Sequence, residues 1–284
     1  MIIITRNRAA LLTKALQAIV KQTLMPSEII VVDNGSTDST QNIVKSFTKL
    51  PIYYFFEPKV GRAIARNCGI EKAKFELILF TDDDCLLPAD WVEKMVELQT
   101  KHPHVLAIYG SVEFYGENRA VVAVAQLLND KFNSDNLYKK DQMSYSRSFD
   151  TANLSMKKSF FKNYGLFNSN LSATQDVELA KRINEQNDII LYEASLVVKH
   201  FARSSLTKLL YQYFSRGFYL VKWEQKSIGK VVGEFFCFPL YLLQIVKSVR
   251  SLNIFSHLFL ALLAFNLGTL VGITPTRKFE NLIK

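Results

Sequence analysis

The chain has 284 residues and a net charge of +9, long enough for one domain of about 220 to 230 residues plus an appendage. Its three cysteines, Cys68, Cys85 and Cys237, are odd in number with no CxxC spacing. This argues against a disulfide framework and a structural zinc site, and marks them as reduced thiols.

Met1 to Ile4 is short, apolar and reads as a strand, so no signal peptide is expected before it. Leu12, Leu16 and Ile19 then mark an amphipathic helix reaching Gln22. Ile29 to Val32 is a second buried-strand run, ending in Asp33-Asn34-Gly35-Ser36-Thr37-Asp38. After it, Asp38 with Gln41 fits a capping pair, and Ile43, Val44 and Phe47 form the apolar stripe of a helix. Ile52 to Phe56 supplies a third strand, Ala63 to Ala73 a third helix and Leu77 to Phe80 a fourth strand. Such alternation predicts an α/β fold with a mostly parallel, doubly wound sheet, its crossovers right-handed.

Three consecutive acids, Asp82, Asp83 and Asp84, follow the fourth strand with only Thr81 between. Carboxyl ends of parallel strands line the crevice where open α/β sheets bind ligands, and Asp33 stands at another of them. If the backbone stays extended, Asp82 and Asp84 share a face. Clustered like charges repel unless a cation lies between them, and an oxygen-rich site with few protein ligands suits Mg²⁺ or Mn²⁺ bridging to phosphates. The alternative is a solvated acidic turn capping a helix from Pro88 to Leu98. Further on, Tyr115 to Ser148 is polar with little periodicity apart from Val121 to Leu128, as expected of a partly mobile loop beside a site.

Lys199, Arg203, Lys208, Arg216, Lys222, Lys226 and Lys230 crowd the stretch before two apolar segments, Val231 to Val246 and Leu258 to Ile273. Aromatic residues interleave with these cations, a mixture that suits nucleic acid or an anionic membrane face. The apolar segments favour the membrane, and no nucleic-acid partner is expected. Each segment has about 16 residues, fewer than the roughly 20 a bilayer core needs, and Lys247 and Arg250 lie between them. A membrane-associating C-terminal helical tail over 226–284 follows, interfacial or re-entrant on the cytoplasmic leaflet. A spanning hairpin comes second, and a helical pair buried in an oligomer interface is the remaining alternative.

Thr5-Arg6-Asn7-Arg8, Val32-Asp33-Asn34-Gly35-Ser36-Thr37-Asp38, Ala65-Arg66-Asn67-Cys68-Gly69 and Phe80-Thr81-Asp82-Asp83-Asp84, in that order, resemble the inverting family 2 glycosyltransferases of GT-A fold. Thr151-Ala152-Asn153-Leu154-Ser155-Met156, Gly165-Leu166-Phe167-Asn168 and Gln175-Asp176-Val177-Glu178-Leu179 with Arg182 match that family's acceptor-side half. The resemblance spans roughly 1–225, expected as the catalytic domain. Family members usually carry several residues before the first strand, so the natural start could lie upstream. The resemblance implies a nucleotide-diphosphosugar donor, with Mn²⁺ or Mg²⁺ as cofactor. Thr5, Asp33, Arg66 and Asp82 would bind the donor, Asp33 accepting from the ring N–H of a uracil-like or thymine-like base. Arg66 has the competing reading of an exposed helix arginine. Asp84, with Asp82 and His200, would hold the metal, although His200 could equally be structural. Asp176 would be the base, or otherwise a first-turn helix acid; the family's usual Glu-Asp pair is here Gln175-Asp176. A membrane-associated tail further implies a glycan or lipid-linked acceptor.

Thr5-Arg6-Asn7-Arg8 is not the glycine fingerprint a nicotinamide dehydrogenase needs. An aspartyl phosphatase leaves Asp33 and Asp176 without a role. A non-catalytic sugar-nucleotide sensor or membrane scaffold stays as the alternative function.

Overall fold

The computed structural model describes residues 1–140, 143–186, 188–224 and 252–272. In chain order the elements are β1 (Ile2–Thr5), α1 (Ala9–Val20), β2 (Ile29–Asp33), α2 (Thr40–Ser46), β3 (Ile52–Phe56), α3 (Arg62–Lys72), β4 (Leu77–Asp82), β5 (Cys85–Leu86), α4 (Trp91–Lys101) and β6 (Ala107–Tyr115). There follow α5 (Arg119–Asn136), β7 (Leu137–Lys140), β8 (Met143–Ser146), a 3₁₀ turn (Thr151–Asn153), β9 (Leu154–Lys157), α6 (Phe160–Tyr164), α7 (Gln175–Glu185), β10 (Ile190–Phe201), α8 (Leu206–Glu224) and α9 (Leu252–Gly272). Two compact units result, one from Met1–Glu113, Asn133–Ser169 and Gln175–His200, the other from Phe114–Phe132, Asn170–Thr174 and the described residues from Phe201 onward.

Among the described residues the strands form one ten-stranded sheet in the order β3-β2-β1-β4-β9-β6-β10-β8-β7, with β5 paired to β10. The first four strands run parallel, as their continuous apolar runs and intervening helices require. The expectation of a mostly parallel sheet is corrected beyond them: β9 pairs antiparallel with both β4 and β6, and β10 pairs antiparallel with β5 and β8.

One face of the sheet buries Ile2, Ile4, Ile30, Val32 and Phe80 with Ala63, Ala65 and Ile70 of α3, Phe160 of α6 and Leu179 and Ile183 of α7. At Gly69 the helix α3 approaches so closely that a Cβ would meet Ile2 Cγ2 at 2.6 Å. Asp38 does not cap with Gln41: its carboxylate accepts from the N–H of Ala9, at the free amino end of α1, and from Thr40. Residues 115–148 are likewise more ordered than a loop, since α5 and the β7–β8 hairpin occupy most of them. The helix after the acids begins at Trp91 rather than Pro88.

In the second unit Leu258, Ala261 and Leu262 of α9 are buried with Val121, Val124, Ala202 and Leu209. At Gly217 of α8 a Cβ would collide with the backbone of α9 at Phe265. The expected apolar tail is not supported as a membrane span. Leu258 to Gly272 is helical but packs within its own unit, and among the described residues no helix is long and apolar enough to cross a membrane. Val231 to Val246 lies outside the described residues.

Asn153 joins the antiparallel half. Its Oδ1 accepts from the indole N–H of Trp91 at 2.8 Å, and its Nδ2 donates to the carbonyls of Ser111 in β6 and Leu196 in β10, both at 2.8 Å. The bonds to Trp91 and Leu196 are buried and that to Ser111 partly so, and Asn153→Ala leaves an indole donor and two carbonyls without this partner. The expected loss is about 3 kcal/mol or more, read as a fall in Tm of roughly 6–12 °C. A loss under about 1 kcal/mol would mean that water replaces the amide.

Candidate active site

The parallel register assembles the site before any side chain is considered. Thr5 pairs with Asp33 across β1 and β2, and Ile4 with Asp82 across β1 and β4. Three chemistry-bearing positions thus meet at adjacent strand ends.

Asp33 is buried, at 2% exposure. Its Oδ1 accepts from the Ser36 N–H at 2.8 Å and its Oδ2 from the Tyr54 hydroxyl at 2.8 Å. Burial, and then the Asp33 charge, push the Tyr54 phenol upward, so it remains a donor. The loops around Asp33 are pinned by Asn7 and Asn34. Asn7 takes a left-handed φ of 53° and accepts from the Thr37 N–H at 2.7 Å; Asn34 accepts from the Gly61 N–H at 2.7 Å. Asparagine tolerates that backbone region better than most residues.

The acid run is not extended. β4 stops at Asp82, and Asp83–Asp84 form a turn before β5. Nor is it a solvated turn, since Asp83 and Asp84 are only 3% and 5% exposed. Asp83 Oδ2 accepts from the Thr5 hydroxyl at 2.7 Å, and its Oδ1 from Arg8 Nη1 at 2.9 Å. The same Nη1 donates to Asp84 Oδ2 at 2.6 Å. Burial works against the Arg8 charge, but Asp84 and Asp83 outweigh it and raise its pKa. Burial dominates for Asp83, pushing its carboxyl up to about 6 despite Arg8. Thr5, expected at the donor, gives its hydroxyl to this turn.

Asp84 Oδ1 is buried and accepts no hydrogen bond, while His200 Nε2 stands 3.3 Å away. The same Nε2 is 3.9 Å from Asp82 Oδ2. His200 arrives through antiparallel pairing, opposite Cys85 in the β5–β10 register. Asp82 Oδ1 accepts from Arg66 Nη2 at 3.2 Å. Burial alone would raise the Asp82 pKa, but the charges of Arg66 and His200 lower it. Arg66 is 5% exposed and lies over the Phe167 ring, which overturns its reading as an exposed helix arginine. Two carboxylates and an imidazole around an unsatisfied oxygen fit Mn²⁺ or Mg²⁺. Cys85 brings its sulfur into the same group of donors, but burial raises its thiol well above the ordinary range, and a protonated thiol does not ligate a hard cation.

Asp176 lies in the first turn of α7, after a buried Gln175 and a Thr174 at φ 61°. A β-branched residue rarely adopts that backbone, so packing holds the start of α7 under strain. Asp150 escaped the sequence reading. Its carboxylate accepts from the Ala152 N–H at 2.9 Å, capping the 3₁₀ turn before β9. Burial pushes its carboxyl upward, and the charges of Asp176 and Asp82 add to this. Asp150 therefore links the expected base electrostatically to the acid turn. The β4–β9 register, with Phe80 opposite Leu154, runs on toward this pairing, but no local motif marks Asp150. Arg8 and Tyr54 were also missed as site residues; Arg8 had a signal in Thr5-Arg6-Asn7-Arg8, and Tyr54 had none.

Comparison with known proteins gives the family and the fold. AglE of Haloferax volcanii, a glycosyltransferase, is 30% identical over 204 residues, covering 69% of this chain and 64% of that protein. The O-antigen chain rhamnosyltransferase RfbN of Salmonella typhimurium is 23% identical over 246 residues, covering 84% of this chain and 78% of the relative. Among solved structures, the mannosyltransferase PcManGT of Pyrobaculum calidifontis, in complex with GDP-Man and Mn²⁺, superimposes with a TM-score of 0.56 at 20% identity, over 96% of this chain and 70% of that one. That likeness is one of fold, and it extends to the GT-A architecture. The model of the family described as glycosyl transferase family 2 matches residues 1–164, more than half of the chain, and the chain belongs to that family.

Proposed function

We propose that the chain is a metal-dependent, inverting glycosyltransferase. It moves a sugar from a nucleotide-diphosphosugar, UDP- or dTDP-linked by preference, to a hydroxyl of a glycan or lipid-linked acceptor. The observation that carries this reading is Asp84 Oδ1, a buried, unsatisfied carboxylate oxygen beside His200 and Asp82 at the strand ends.

Asp33 receives two protein donors, which fix the direction of its carboxylate. An ionised acceptor strengthens the bond from a pyrimidine ring N–H. Arg66, buried against Asp82, adds positive charge where the diphosphate would lie. Asp84, Asp82 and His200 would hold the divalent ion, which supplies Lewis-acid stabilisation of the leaving nucleoside diphosphate. Asp176 takes the proton of the acceptor hydroxyl as its oxygen bonds to the anomeric carbon. The bond from that carbon to the phosphate oxygen breaks on the opposite face, and its electron pair leaves with the diphosphate. The Mn²⁺ in the mannosyltransferase complex and the O-antigen assignment of RfbN support the metal and an acceptor in cell-envelope polysaccharide synthesis.

Location at the cytoplasmic face of the membrane belongs to the same proposal. It is supported by the basic run Lys199, Arg203, Lys208 and Arg216 and by the exposed Tyr211, Phe259, Leu260 and Leu267. Gln175 favours one other reading, a non-catalytic sensor of sugar nucleotides, because it stands where family members have a second acid.

Melting of the full chain with UDP, dTDP, GDP and CDP, each with Mn²⁺ or with chelator, tests the donor site. Stabilisation by one nucleotide only with metal is expected, and a flat response to all four would sink the reading. Asp33→Ala should weaken that nucleotide's binding by roughly ten- to a hundred-fold. Asp176→Asn should keep the stabilisation while transfer falls by roughly 10²–10⁴; equal turnover in this variant would remove Asp176 as the base.

A further inference from the structure

The acid turn is bound to two built-in cations. Arg8 Nη1 bridges Asp83 and Asp84 at 2.9 and 2.6 Å, and Arg66 Nη2 meets Asp82 at 3.2 Å. Three carboxylates against two guanidinium groups leave one net negative charge in the directly paired cluster. Arg62 lies near enough to act on Asp82 as well, and Asp150 adds a carboxyl on the other side. Asp84 is divided: Oδ2 is committed to Arg8, and only Oδ1 is unsatisfied. A dication meeting only one net negative charge, with arginines close by, gains little on leaving water, because attraction and repulsion nearly cancel.

We propose that Arg8 and Arg66 hold this acid cluster so near neutrality that the divalent ion enters only together with a nucleoside diphosphate. The diphosphate supplies the missing negative charge and oxygen ligands. Arg8 is here a positioning and charge-setting residue, not a group that touches the reacting atoms. The inference rests on the transferase reading of the site and adds an order of assembly to it: metal alone is not retained, and chelator strips it readily until the donor is bound.

Equilibrium dialysis of Mn²⁺ against the full chain, with and without UDP or GDP, tests this. Wild type should retain little Mn²⁺ alone and at least about ten-fold more with one of the nucleotides. Arg8→Met removes the charge while keeping side-chain length, and it should bind Mn²⁺ alone roughly ten- to a hundred-fold more tightly. Arg8→Lys should resemble wild type. Arg66→Gln, whose partner Asp82 is partly exposed, should shift Mn²⁺ binding in the same direction and decides the matter should Arg8→Met not fold. Tight Mn²⁺ binding by wild type without nucleotide overturns the proposal, as does weaker or unchanged Mn²⁺ binding in both charge-removing variants. If neither nucleotide, nor dTDP in the same dialysis, raises Mn²⁺ retention in wild type, the reading of this site as a donor site fails instead.

Discussion

Two carboxylates, Asp83 and Asp84, are almost wholly removed from water, and a buried carboxylate persists only where hydrogen bonds and opposite charge replace its hydration. Arg8 and Thr5 answer that demand from the end of β1 and the loop after it. The rest of the site follows. Drawing Asp83 inward turns the chain, the turn ends β4 at Asp82, and Asp84 is left with one oxygen bound and the other facing His200. Without Arg8 the extended backbone that alternation suggests would present Asp82 and Asp84 together but leave Asp83 buried and uncompensated. Two guanidinium groups thus distinguish three identical residues: Arg8 holds Asp83 and one oxygen of Asp84, and Arg66 holds Asp82.

The sheet divides the labour. Its parallel half presents Asp33 and Asp82 at neighbouring carboxyl ends, and its antiparallel half carries in groups from far along the chain: Asp150 ahead of β9, Asp176 at the start of α7, and His200 near the end of β10. Asn153 ties that second half together by satisfying an indole donor and two strand carbonyls at once. The residue that locks β6 and β10 therefore lies three positions after Asp150. The geometry of the candidate site and stability are coupled through one short segment.

Much of the parallel half was legible locally. Ile29 to Val32 and Leu77 to Phe80 are continuous apolar runs, and each ends in acids or turn-formers, so strand, direction and site position follow from a few adjacent residues. Arg66 was legible as a candidate but not as a buried one, because its burial depends on Phe167, about a hundred residues away. Asp38 shows the opposite failure: its spacing fits a pair with Gln41, yet its carboxylate is shared between Thr40 and the start of α1 at Ala9. The segment 115–148 was misread as a loop since the buried residues of α5 are held by α8 and α9 rather than by a strong pattern of its own.

By itself the sequence determined the order of strands and helices in the parallel half, the strand ends that carry acids and the shortage of glycine for a dinucleotide turn. These depend on periodicity and on neighbours within a few positions. Only the tertiary structure decided which oxygen of Asp84 is unsatisfied, that Tyr54 holds Asp33, that the charges of Asp176 and Asp82 both act on a buried Asp150, and that α9 turns Leu258 and Leu262 inward. Each of these depends on charges or surfaces brought together across dozens of residues, where burial changes the strength of every contact and no local pattern records it.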